Sequence, residues 1–143
     1  MKWAYQECRF GDIIRVKLVS VYHYGIFVSD DEVIAFGLPP TAENLKNQQD
    51  IKVLATDIDV FSCGKLVETA VLSFSEKRRR KSPDKAVAEA RARIGEGGYS
   101  LIHNNCEHFV NEVVFGEAVS QQEQAVREKF RKFLSEKNKK TII

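Results

Sequence analysis

Apolar and polar positions alternate in the first half of the chain and take a helical spacing in the second. In residues 12–21, Ile14, Val16 and Leu18 alternate with Arg15 and Lys17, the period-two pattern of a half-buried strand. Residues 24–29 read as a second strand and 33–36 as a third. The polar Asp30-Asp31-Glu32 between them predicts a hairpin. Pro39, Pro40 and several Asn and Gln make 37–50 a loop. Alternation returns at Ile51, Val53 and Ala55. Residues 66–74 fit strand or helix, and Val67, Thr69 and Val71 favour strand.

Lys77 to Lys81 reads as a solvated basic loop. Ser82-Pro83-Asp84 then opens a helix, since proline suits a first helical turn and an acid favours its dipole. Ala86, Val87, Ala90 and Ile94 form its apolar stripe, and Gly95 ends it. Gly97-Gly98 predicts a turn and 99–102 a short extended piece. A second helix is predicted from about Cys106 to Phe115, with Phe109, Val110, Val113 and Val114 inward and Gly116 as its stop. A third, over about 120–137, starts at a Ser120/Glu123 capping box and carries Val126, Phe130, Phe133 and Leu134 on one face.

Composition narrows the class. The chain has 143 residues, 43% hydrophobic and 29% charged, which predicts one soluble domain over 1–143 with its core in about 10–116. Twenty-two basic against 20 acidic residues leave a formal charge of +2, so net charge selects no partner. No nucleic-acid motif or aromatic interleaving accompanies the basic runs, and no nucleic-acid partner is expected. The C-terminal helix carries an excess of Lys and Arg. Packing on the domain is its simpler role, with peripheral membrane contact the alternative. No stretch approaches the ~20 apolar residues of a spanning helix. The charged start (Lys2, Glu7, Arg9, Asp12) is not that of a signal peptide. Cys8, Cys63 and Cys106 form no CxxC pair, so free thiols in a reducing, cytoplasmic setting are expected, with no metal and no cofactor.

The densest chemistry lies in Asn105-Cys106-Glu107-His108-Phe109. Asn105 stands where an N-cap belongs, which puts Cys106 on the first turn of a helix. Helix N–H groups there can favour a thiolate. A buried structural thiol is the other use of such a residue. A nucleophilic thiol needs a base. His108, two residues along the same helix, does not face Cys106. The direction of His103 cannot be read. His23 opens an apolar strand, where it serves either as base or as a hydrogen-bonded, half-buried ring.

His23-Tyr24-Gly25-Ile26-Phe27-Val28 with Asp30, and Asn105-Cys106-Glu107-His108-Phe109-Val110, resemble the two signatures of the lecithin:retinol acyltransferase family, which groups with the permuted NlpC-type papain-like enzymes. The resemblance spans roughly 10–116. It implies an α+β fold with an antiparallel sheet against helices and the nucleophile at a helix N-terminus. It also implies that Cys106 takes an acyl group from a lipid or acyl ester as a thioester, with His23 as its base, Tyr99 positioning the base or the oxyanion, and Asn105 in support. NlpC-type amide hydrolysis would use the same residues. Family members carry a second histidine twelve residues after the first; here that position is Ala35, which cannot orient an imidazole. A catalytically weakened binding or regulatory module is the reading this departure favours.

Overall fold

Strand-forming segments of the first half gather into one sheet, described here in a computed structural model covering residues 1–19, 21–100, 105–116 and 131–132. The strands are β1 (Lys2–Ala4), β2 (Ile13–Lys17), β3 (Tyr22–Ser29), β4 (Glu32–Phe36), β5 (Val53–Thr56) and β6 (Val67–Val71). They lie in the order β1-β6-β2-β3-β4-β5, antiparallel throughout. The helices are α1 (Ile58–Ser62), α2 (Phe74–Arg79), α3 (Pro83–Ala92) and α4 (Cys106–Phe115). The protein is therefore α+β, as the β-then-helix pattern predicts.

Helices cover both sheet faces. On one, α3 and α4 bury Ala86, Val87, Phe109 and Val113 against Ile13, Tyr24, Ile26 and Ile34. On the other, Phe61 of α1 packs with Ile14, Val16, Phe27, Val33 and Ala35. β2 thus has apolar residues on both sides rather than a single covered face. Gly25 makes room for this second layer, since a Cβ there would stand 2.7 Å from the Phe61 ring.

Several expectations are corrected. Residues 77–79 are the last turn of α2, not a loop. A Ser73/Glu76 capping box starts that helix, and three basic residues favour its C-terminal end. Arg80 is not freely solvated either: it donates to the Gly11 carbonyl at 3.0 Å and the Lys81 carbonyl at 2.8 Å. α3 ends at Ala92, before Gly95, which leaves Ile94 45% exposed instead of in the stripe. Short β1 and α1, the latter capped by Asp57, escape a periodicity reading. Of the helix expected over 120–137, only Arg131 and Lys132 are described, both helical and exposed. His103 also lies outside the described residues.

Candidate active site

The N-terminus of α4 is built by its cap. The Asn105 side chain accepts from the Glu107 N–H at 3.0 Å and the His108 N–H at 3.2 Å. The Asn105 N–H in turn donates to His108 Nδ1 at 3.1 Å. His108 therefore closes a capping box in the place usually held by Glu or Gln. Its Nδ1 is an acceptor, which puts the ring proton on Nε2. The helix runs Cys106–Phe115 and ends at a left-handed Gly116, with Phe109, Val110, Val113 and Val114 buried, as the spacing predicts.

This helix start meets β3 at a free stretch of strand edge. Phe27 N–H and Val21 C=O bond to the β2 side. By alternation, the polar groups of Tyr22 and Tyr24 point the other way, toward β4. Pairing with β4 begins only at Ile26, so those groups have no strand partner. Cys106 fills the gap. Its thiol lies 3.9 Å from the Tyr22 carbonyl, as donor, and the Tyr24 N–H points at the sulfur. The thiol therefore contacts the backbone on both sides of His23.

The two side chains nevertheless belong to different layers. Cys106 packs in the cluster of Tyr24, Ile26, Phe36 and Tyr99. The His23 ring stacks on Phe61, centroids 4.6 Å apart and planes 29° apart. No hydrogen bond among the described residues joins the imidazole to the thiol. His23 Nδ1 is buried with no partner, and Ala35, on the same face, offers none.

Burial governs both groups. It pushes the Cys106 thiol up to about 11; the N–H groups of Tyr24, Cys106 and Glu107 oppose this, while the Glu107 carboxylate adds to it. It lowers His23 to about 3. The resting site thus holds a neutral thiol beside a neutral imidazole. The helix start does supply N–H groups to the sulfur, but desolvation outweighs them.

Tyr99 is buried with its ring edge-on to Phe36, centroids 5.3 Å apart. Burial raises its hydroxyl pKa, and the charge of a Cys106 thiolate raises it further, which places the two groups within electrostatic reach. A set of residues that spacing did not reveal lies on the same face. Arg15 is held between the rings of Trp3 and Tyr22, 4.1 and 3.9 Å from their centroids, and bonds Glu68 at 2.8 Å. It also lies close enough to the Tyr24 hydroxyl to oppose the rise that burial and Glu107 impose on that group's pKa. Alternation marked Arg15 only as a polar strand position. Its partners come from three strands, so no local signal could have found them.

A helix-borne cysteine set against an unpaired stretch of an inner strand of an antiparallel sheet fits a papain-like α+β domain. Sequence comparison makes this specific: the family model described as lecithin retinol acyltransferase matches residues 6–119, and the chain belongs to that family. It is 26% identical to lecithin retinol acyltransferase of Rattus norvegicus, aligning 82% of this chain with 59% of that protein. Against the Homo sapiens protein of the same name the identity is 26%, over 78% of this chain and 56% of the relative. Phospholipase A and acyltransferase 4 of Homo sapiens is 24% identical over 82% of this chain and 76% of its own length. The chain spans little more than half the length of the lecithin retinol acyltransferases it matches. Among the described residues, no helix is long and apolar enough to cross a membrane.

Proposed function

We propose that this chain is a thiol-dependent acyltransferase or phospholipase-type hydrolase acting on a lipid ester. The observation that carries the reading is Cys106 at a capped helix start, with the N–H groups of Tyr24, Cys106 and Glu107 turned on its sulfur, in a chain of this family. His23 leaves its stack on Phe61 by side-chain rotation and takes the thiol proton. The thiolate attacks the ester carbonyl. The helix N–H groups and the Tyr99 hydroxyl stabilise the resulting oxyanion. Collapse breaks the ester C–O bond, and the alkoxide leaves with the proton from His23. Water or an amine, deprotonated by His23, then attacks the thioester and restores the thiol. Asn105 holds the helix start in register.

A second reading has its own support. The buried Ala35 and the unpartnered His23 Nδ1 leave the base without an orienting group, which favours a weakened, binding or regulatory module. Amide hydrolysis by the same residues is the remaining alternative. Intact-mass analysis after incubation with a phosphatidylcholine separates the three. Acyl transfer predicts a mass increase of one acyl chain on Cys106, absent in Cys106→Ala. Cleavage of peptide amides without lipid turnover would move the assignment to an amidase. Neither adduct nor product would leave the binding module.

A further inference from the structure

We infer that the tip of the β2–β3 hairpin and the loop joining α1 to β6 form a docking surface for an anionic phospholipid bilayer, next to the start of β3 that Cys106 meets. Val19 stands wholly exposed at the hairpin tip, at 103% of its reference area, and Leu66 is 73% exposed. The two are neighbours through the strands that carry them. The tip is closed by the Leu18 N–H bonding the Val21 carbonyl at 2.8 Å. Val16 pairs with Val67 and Lys17 with Tyr22, so the antiparallel register sets Leu66 beside Lys17.

Lys17 and Lys65 flank this apolar pair, both exposed, and neither enters an ion pair among the described residues. No acidic residue occurs in 16–22 or in 60–67. Exposed aliphatic tips bounded by unpaired ammonium groups match a bilayer surface. The apolar side chains enter below the headgroups while the lysines meet lipid phosphate and anionic headgroups. Position gives the surface a purpose. The Cys106 thiol donates to the carbonyl of Tyr22, the strand partner of Lys17. A bilayer seated on the tip therefore lies one strand row from the thiol. The value of this placement rests on the lipid-ester reading above; the docking itself does not require catalysis.

The test uses the full chain. Cys63 is exposed in the same loop and carries an environment-sensitive fluorophore in a Cys8→Ser background. Vesicles of phosphatidylcholine, with and without phosphatidylserine, are the probe. We expect co-sedimentation and a blue shift of the label with the anionic vesicles only. The double change Val19→Asp and Leu66→Asp should weaken binding by at least about tenfold. Lys17→Gln and Lys65→Gln should each cost roughly fivefold. Any of three results overturns the proposal: no sedimentation with anionic vesicles, equal sedimentation with neutral ones, or sedimentation with an unchanged label. Should the aspartate variants fail to fold, the label on Cys63 still decides. Hydrolysis of a monomeric short-chain ester, measured in parallel, reports the site without a surface, and the aspartate variants should retain it. Binding without turnover would sink the catalytic reading alone; turnover without binding would sink only the docking surface.

Discussion

The buried His23 ring should give the protein a specific weakness to acid. Its pKa is lowered from 6.5 to about 3 by burial, with no partner on Nδ1. Between those values the unfolded chain binds a proton that the folded chain refuses, so stability falls as pH falls. The slope is about 1.4 kcal/mol per pH unit once the unfolded imidazole is charged. From about pH 7 to about pH 5 the loss integrates to about 2 kcal/mol, and it reaches about 4 kcal/mol at the folded pKa. The upper part of this window precedes the ordinary titration of carboxylates, which keeps the histidine contribution separable. His23→Phe removes the titration and keeps a ring on Phe61. Chemical denaturation followed by circular dichroism, at several pH values, should show wild-type stability falling by about 2 kcal/mol more than that of the variant. Parallel curves would refute the reasoning. They would mean that the ring is already protonated or hydrogen-bonded in solution, as in a resting thiolate–imidazolium pair.

The thiol supplies the complementary test: Cys106 should alkylate with an inflection near about 11 in the free protein, and at neutral pH more slowly than the exposed Cys63, whereas an inflection below about 7 would restore a preformed thiolate. Because its folded pKa lies above the unfolded value, the same group should cost stability as pH rises from about 9 toward about 11, and Cys106→Ala should flatten that alkaline limb. Asn105→Ala removes the acceptor of two helix N–H groups and should lower stability by about 1–2 kcal/mol, read as a drop in Tm. Ala35→His alone should destabilise by about 1–3 kcal/mol, because the site is filled by Phe61 and its neighbours. Combined with Phe61→Ala, it should fold and accelerate acyl-enzyme formation by orienting His23; no gain in the well-folded double variant would remove Ala35 as the cause of a weak site.

What the sequence revealed follows from what each signal encodes. Long periodic segments were legible: β3, β4, α3 and α4 follow from alternation or helical spacing, and the Asn105 cap and Gly116 stop of α4 are local chemistry. Elements too short for a period were not. β1 has three residues, and α1 and α2 are announced only by the caps Asp57 and Ser73. The type of residue at the candidate site was also legible, but its environment was not. Helix placement alone argues for an acidic thiol, and strand placement alone argues for a base. Burial reverses both tendencies, and burial depends on Phe61, remote from His23 in sequence, and on Tyr24, Ile26 and Phe36, remote from Cys106. Gly25 illustrates the same limit. Nothing in the run His23-Tyr24-Gly25 announces it, yet its role is to admit Phe61 against the strand.

The charge state of the resting site has a consequence for how any reaction must begin. With the thiol near 11 and the imidazole near 3, the proton lies overwhelmingly on sulfur. Passing it to His23 in this arrangement would create two buried charges, the imidazolium with no partner on Nδ1, which is the costly case for a low-dielectric interior. Desolvation is the larger cause of both shifts, so the barrier falls if water or substrate reaches the pair, or if the ring turns from Phe61 toward the open β3 edge where the Tyr24 N–H already faces the sulfur. A bound ester does more than fill the space: its carbonyl oxygen can collect the N–H groups that now serve the thiol, so negative charge is stabilised where it develops rather than on the resting sulfur. Trapping kinetics separate this from a preformed pair. If substrate engagement creates the nucleophile, a carbonyl-directed lipid analogue should label Cys106 much faster than a small alkylating agent of matched intrinsic reactivity, and His23→Phe should slow the first far more than the second. Equal slowing of both reagents would place the activation in the free protein and contradict the neutral resting site.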